Sequence, residues 1–395
     1  MLGSLRRATP YYSLIQCLYW VIYCLMVGFA SVFLLDRGFT NGQIGLILGL
    51  SYLLSAVLQP IVGAWFSRRG IRLNRGVAVA YMPVAALSLG IWLLPVGRVP
   101  LAVMMVAVFT TQSMLQPSIN ALFRTLETPG DRVNFGLARG FGSVGYALSS
   151  FLMGRLLNRF APNILPAAYF GAIALLIIVL LLARTHETEG GGQVAARGAS
   201  YREMLRRHPH LALFLVGAAC MFLAYSFIDS FLLQILRSIG GDSGNLGTAI
   251  TLSAMTELPA MMLFSHFSRK GKGVRLFLIS IWFWLAKDVL TLLAPSPGVL
   301  YVVQLLNFAS CAVYVPGMMD YMRHVLPESQ LLRGATLAGT ATTLGSLVAT
   351  LLGGSLIDRI GVRSALAVIQ IFAVCGTALL TVALGYTVKH ENGAI

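Results

Sequence analysis

Twelve apolar stretches, each close to 20 residues long, dominate the chain; they fall at roughly 11–35, 43–66, 76–96, 100–123, 134–157, 163–183, 210–236, 245–267, 275–294, 298–322, 334–357 and 364–388. A stretch of that length and character matches the hydrocarbon thickness of a bilayer. In lipid the peptide groups have no water to bond, so a single crossing segment must satisfy them within itself and is therefore a helix. The reading is an all-α membrane protein of twelve transmembrane helices. The composition agrees, with 57% hydrophobic and 11% charged residues in 395 and a mean hydropathy of +0.78.

The formal net charge is +15. In a water-soluble chain such a balance would point to nucleic acid. Here the position of the basic residues explains it. With the N-terminus in the cytoplasm, 20 Lys and Arg fall on the cytoplasmic side, 7 on the other, and two, Arg139 and Lys287, inside spans. Basic residues favour cytoplasmic loops, so both termini are expected in the cytoplasm. The partners expected are the lipid bilayer and a small-molecule substrate, with no nucleic acid, and the chain is expected to act as a monomer. The five cysteines (17, 24, 220, 311 and 375) all lie in apolar runs without paired spacing, which suits small core residues rather than disulfides or metal ligands. The N-terminus lacks a small-residue cleavage site after a short apolar core, so the first run is expected to be retained.

The chain repeats itself. Phe66–Gly70 (FSRRG) recurs 201 residues later as Phe267–Gly271 (FSRKG); Pro117 and Arg124 recur as Pro316 and Arg323; the GRLLNR run at 154–159 recurs as GSLIDR at 354–359. Three helical positions sharing one offset, to within a residue or two, argue for a duplicated six-helix unit in parallel orientation. The expected domains are an N-terminal bundle at 1–183, a Gly-rich charged cytoplasmic linker at 184–209, and a C-terminal bundle at 210–395.

Two facing bundles would line their seam with polar residues at helical spacing. Span five carries Arg139, Ser143, Tyr146 and Ser150 at i, i+4, i+7 and i+11. Span one has Tyr12, Gln16, Tyr19 and Tyr23 at the same spacing, and span four has Gln112, Gln116 and Asn120. Span seven has Tyr225 and Asp229, span eight Thr256 and Glu257, and span nine Lys287. Span ten has Gln304, Asn307, Cys311 and Tyr314, and span eleven Thr336, Thr340 and Thr343. Hydroxyls and amides at such positions often only hydrogen-bond packed helices together. Charged groups at membrane depth are rarer and mark function. Arg139 and Lys287 can balance Asp229 and Glu257, and a carboxyl group away from water without a full partner can carry a proton. Asp229 and Glu257 are therefore the expected proton carriers. Asp288, beside Lys287, points about 100° away around the helix and is expected to pair locally. The six histidines lie in loops or at cytoplasmic helix ends, away from any mid-membrane relay. Gly140, Gly142 and Gly145 match GxGxxG inside a span, where no strand precedes them, so they are read as letting helices approach closely or letting the helix deform, not as a dinucleotide loop.

Asn134 to Leu148 resembles the fifth helix of the lactose permease group of the major facilitator superfamily, which includes phenylpropionate permeases and nucleoside proton symporters. Leu58 to Gly63 resembles its second helix, and Gly63 to Arg72 its GxxxDxxGRR loop, with Ser67 in place of the Asp. The resemblance implies two pseudo-symmetric six-helix bundles that rock around a midplane site. It implies that Arg139 clamps the substrate and Tyr146 stacks on it, and that Tyr225, Asp229 and Glu257 occupy functional positions, with Lys287 where the group has a basic residue. The departures are specific. The group's sugar-binding Glu of span four stands here as Asn120. Its Lys–His–Glu trio of span ten stands as Gln304, Asn307 and Ser310, and its Lys of span eleven falls near Thr342. Substrate binding is therefore expected from Arg139, Tyr146, Asn120, Gln116, Glu257, Gln304 and Asn307, and proton coupling from Asp229, Glu257, Lys287 and Tyr225. Uncharged amides suit sugars, while Arg139 and Lys287 equally suit a carboxylate. The function implied is proton-coupled import of a sugar or similar small polar solute in a bacterial inner membrane, without a cofactor. An organic anion, a nucleoside or export remains the alternative. No nucleophile–base pair or metal cluster suggests an enzyme.

Overall fold

The computed structural model describes residues 8–128, 131–183, 185, 201–268 and 272–393. Apart from one isolated bridge between Thr128 and Asp131, the regular structure of the described residues is helical. Among the described residues eleven helical runs are long and apolar enough to cross a membrane. The fifth span, Phe135–Leu157, is 23 residues long but is diluted by Arg139, Arg155 and its glycines and serines. With it the fold is the twelve-helix arrangement expected. Large apolar side chains such as Val103, Leu148, Leu181, Val302 and Ile371 are exposed, as a lipid-facing surface requires.

The chain divides into two compact units, Met1–Gln193 with Leu246–Thr251, and Val194–Asn245 with Leu252–Ile395. Most of the expected linker, residue 184 and residues 186–200, lies outside the described residues, as do residues 269–271 of the second FSRKG loop. The linker's end is not extended: Tyr201–Arg207 forms a short helix. Its Met204 is buried with Leu211, Phe214 and Met322, so the basic residues around it ride on an apolar anchor.

Each unit repeats the same packing plan. In the first, span one (Ala8–Tyr23 and onward to Asp36) lies along span five, and span three (Leu73–Leu93) along span six (Ile164–Leu182). In the second, span seven (Pro209–Ser230) lies along span eleven (Glu328–Ile360), and span nine (Gly273–Leu293) along span twelve (Val362–Gly393). The repeat extends to single hydrogen bonds. After span one, Gly38 has φ 76° and Phe39 N–H donates to the Leu34 carbonyl at 3.0 Å. After span seven, Gly240 has φ 85° and Gly241 N–H donates to the Leu236 carbonyl at 2.8 Å. Both close the helix with a left-handed glycine, a conformation that penalises a Cβ. The next helices, Asn41–Arg68 and Ser243–Ser268, open on reciprocal caps: Thr40 with Gln43, and Asp242 with Asn245. Each pair satisfies two otherwise orphaned donors.

Spans one, four, seven and ten are interrupted. Span one passes through a π-helical turn, Cys24–Gly28, and bends at Phe29. Span seven bends at Phe231. The two phenylalanines share nearly one backbone conformation, φ −108° and ψ 13° against φ −114° and ψ 21°, with both rings fully buried. Span four breaks at Leu115, just before Pro117, into Arg98–Met114, Gln116–Ala121 and Phe123–Leu126. A proline cannot donate to the preceding turn. Span ten breaks through a 3-10 turn, Leu306–Ala309, between Pro297–Leu305 and Cys311–Val325. Broken helices leave carbonyls for side chains to bond, and that is where the polar residues gather.

Candidate functional site

In the first unit the site is built on span five. Asn134 caps it by accepting the Leu137 N–H at 3.0 Å, and Arg139 follows one turn in. The Arg139 guanidinium carbon stands 4.0 Å from the centre of the Trp20 ring, and Nη1 donates to Ser143 Oγ at 3.2 Å. Trp20 Nε1 donates to Gln16 Oε1 at 3.2 Å. Gln16 Nε2 donates to Asn120 Oδ1 at 3.2 Å and to the Tyr12 hydroxyl at 2.6 Å. Tyr12 in turn donates to the carbonyls of Ile119 and Asn120, at 3.3 and 3.1 Å, in the broken part of span four. The Trp20 ring also has Tyr23 at 5.3 Å and, edge-on, Tyr146 at 6.2 Å. A cation over an indole is worth about 0.5–1 kcal/mol in water and about 2 kcal/mol when desolvated, so Arg139 has a neutral partner that leaves its charge intact.

Close helix approach makes this possible. A Cβ at Gly142 would lie 2.5 Å from Trp20 Cδ1, and one at Gly145 would lie 3.0 Å from the Cys17 carbonyl oxygen. Two glycines of the GxGxxG run thus seat span one against span five, as the sequence suggested. The stripe of span one divides, however. Tyr12, Gln16, Tyr19 and Gln112 are fully enclosed. Tyr19 donates to the Gln112 carbonyl at 3.2 Å, Gln112 Nε2 to the Tyr19 carbonyl at 3.3 Å, and Tyr81 to Gln112 Oε1 at 2.8 Å. Those groups bind spans one, three and four together instead of facing outward. The half-buried remainder is Trp20, Tyr23, Gln116, Asn120, Arg139 and Tyr146.

In the second unit the site is charged. Lys287 is 5% exposed, and its Nζ donates to Asn307 Oδ1 at 3.1 Å. Asn307 Nδ2 donates to the Ser253 carbonyl at 3.2 Å, so the 3-10 turn of span ten holds the lysine's acceptor and ties it to span eight. Asp229 lies within electrostatic reach of Lys287 and Glu257. The Cys311 thiol hydrogen-bonds Tyr225 and lies within reach of all three charges. Spans seven, eight, nine and ten therefore bring Tyr225, Asp229, Glu257 and Lys287 within reach of Cys311, with Asn307 on Lys287. Asp229 is exposed and Glu257 half-buried, whereas Gln304 and Asn307 are enclosed. Asn307 thus serves Lys287 directly.

Asp288 faces about 100° around span nine from Lys287. It is 2% exposed; Gln370 of span twelve donates to its backbone carbonyl at 3.2 Å, and its Oδ2 meets no hydrogen-bond partner among the described residues. His210, at the start of span seven, stacks on Tyr386 with ring centres 3.7 Å apart, which gives that histidine a packing role. Trp20 is the site residue that the sequence reading passed over. Its signal in the sequence is the i, i+4, i+8 ladder of Tyr12, Gln16 and Trp20, which runs beside the stripe through Tyr19 and Tyr23.

A twelve-helix membrane protein, duplicated down to its caps, with charged and amide side chains gathered where its helices break, is a transporter of the major facilitator type and not an enzyme. The chain belongs to the MFS_1 like family, which matches residues 11–368. It is 25% identical over 370 residues to the maltose permease of Geobacillus stearothermophilus, covering 92% of this chain and 90% of that one. It is 22% identical over 361 residues to the uncharacterized transporter YwbF of Bacillus subtilis (strain 168), covering 90% and 87%. Among solved structures, the nucleoside transporter NupG superposes with a TM-score of 0.75 at 13% identity, covering 96% of this chain and 98% of that one. A bacterial homologue of the human lysosomal transporter Spinster superposes with 0.70 at 15% identity, covering 98% and 99%. These structures share the fold.

Proposed function

We infer that the protein is a proton-coupled symporter that imports a sugar or similar small polar solute by alternating access. We place it as a monomer in a bacterial inner membrane with both termini cytoplasmic. The observation that carries this reading is the separation of two chemistries. In the first unit Arg139 is held among aromatic rings and amides that do not titrate at ordinary pH. In the second, Asp229 and Glu257 stand near Lys287, where a proton arriving or leaving changes the local charge balance. Arg139, Tyr146, Asn120 and Gln116 bind substrate, and Asp229, Glu257, Lys287 and Tyr225 couple it to the proton. The similarity to a maltose permease supports a sugar as the first class to try. The two in-span cations favour one second reading, an organic anion held by charge-assisted hydrogen bonds.

The test is uptake into proteoliposomes with an external pH record, using maltose, other mono- and disaccharides, nucleosides and aromatic acids. Alkalinisation of the medium with one class establishes symport and names that class. Uptake without any pH change removes the proton from the account. Alkalinisation with the aromatic acids alone replaces the sugar reading with the anion reading.

A further inference from the structure

The role of Trp20 follows from three independent contacts around its indole. One face carries the Arg139 guanidinium at 4.0 Å. Its N–H is committed to Gln16, which continues to Asn120. Its ring edge occupies the space that a side chain at position 142 would need. A buried indole N–H ordinarily finds a partner, so the guanidinium on the ring face is the contact that points beyond packing. Arginine has many rotamers, and fixing a long side chain at membrane depth requires partners on more than one side. Ser143 Oγ accepts from Nη1 at 3.2 Å. The flat face of an indole supplies a second partner, because a guanidinium over a ring is held by its charge and keeps its N–H groups for acceptors around it.

We propose that Trp20 is the positioning residue of the first unit's substrate site: its indole face aligns Arg139, and its N–H couples that alignment through Gln16 to Asn120. The proposal rests on the reading that Arg139 contacts substrate, and it adds that the aromatic platform beneath that arginine comes from span one. Gly142 is then part of the same device, since it leaves room for the ring. The chain Ser143–Arg139–Trp20–Gln16–Asn120 moves as one recognition element across spans five, one and four. Arg139 presents paired N–H groups to paired oxygens, which are vicinal hydroxyls in a sugar or the two oxygens of a carboxylate.

The experiment has one arm that needs no substrate. The full-length protein is labelled with 5-fluorotryptophan and its five tryptophan resonances are recorded by fluorine NMR in detergent, with Trp20 assigned by its loss in Trp20→Phe. Arg139→Leu and Gly142→Ala are each expected to move the Trp20 resonance and leave the other four in place. A Trp20 resonance that ignores Arg139→Leu overturns the proposal. The second arm measures uptake of maltose and of uridine in proteoliposomes. Trp20→Phe keeps a ring face but loses the N–H and is expected to raise KM about threefold, while Trp20→Leu, which loses both, raises it at least about tenfold at unchanged melting temperature. Equal KM for Trp20→Leu and the unaltered protein also overturns it. If the unaltered protein carries neither solute, the functional reading fails for both probes and the fluorine arm still decides the placement of Arg139 on Trp20.

Discussion

The two units share a backbone and differ in chemistry. Phe29 and Phe231 bend their helices alike, Gly38 and Gly240 close them alike, and the capping pairs after them are built on the same pattern. The side chains at the breaks part company. In the first unit one cation meets an indole, phenols and amides. In the second, carboxylates, a lysine and a thiol lie within reach of one another. Duplication preserved what the helix needs, namely satisfied termini and tolerable kinks. What the solute and the ion need was left free to diverge, because the side chains gathered at the breaks are not the groups that close the helix termini.

This contrast can be broken or sharpened by substitution. The largest effect is expected from Arg139→Ala, which should lower uptake by at least about 100-fold with normal yield and melting temperature. Arg139→Lys should not restore it, because an ammonium lacks the planar fork that lies on Trp20. Normal uptake in either variant would remove recognition from the first unit. Asp229→Asn and Glu257→Gln come next. At least one should abolish uphill accumulation while solute exchange across the membrane, which needs no net proton movement, continues. If exchange falls together with accumulation, the second unit binds substrate as well as the proton. Asn307→Ala leaves the enclosed Lys287 ammonium without its acceptor, and should lower stability by about 2 kcal/mol as well as slowing uptake, measured by thermal unfolding beside transport. The smallest functional effect is expected from Gln112→Leu. It removes a buried hub between Tyr19 and Tyr81, so stability should fall by about 1–3 kcal/mol while uptake per folded molecule stays level.

The fold was legible in the sequence because lipid leaves few options: a run of about 20 apolar residues in a bilayer must be a helix, and twelve of them with a shared internal offset must be two copies of something. The individual charges were legible for the same reason, since Arg139 and Lys287 stand out against apolar neighbours. The polar uncharged residues were not. Tyr12, Gln16, Tyr19 and Gln112 have the spacing of an open stripe, yet they close on one another, because a broken span four offers carbonyls that periodicity does not reveal. Trp20 is illegible for the converse reason. An indole in an apolar helix looks like packing until a guanidinium is found on its face. The pairing of Lys287 with Asn307 depended on a 3-10 turn that no spacing in span ten signals.

The most direct measurement is the external pH of proteoliposomes when maltose is added, taken alongside maltose counterflow, for the unaltered protein, Arg139→Ala and the double variant Asp229→Asn with Glu257→Gln. The account predicts alkalinisation and counterflow for the unaltered protein, neither for Arg139→Ala, and counterflow without alkalinisation for the double variant. Alkalinisation that survives in the double variant would contradict it, because the proton would then travel by a route that uses neither carboxylate.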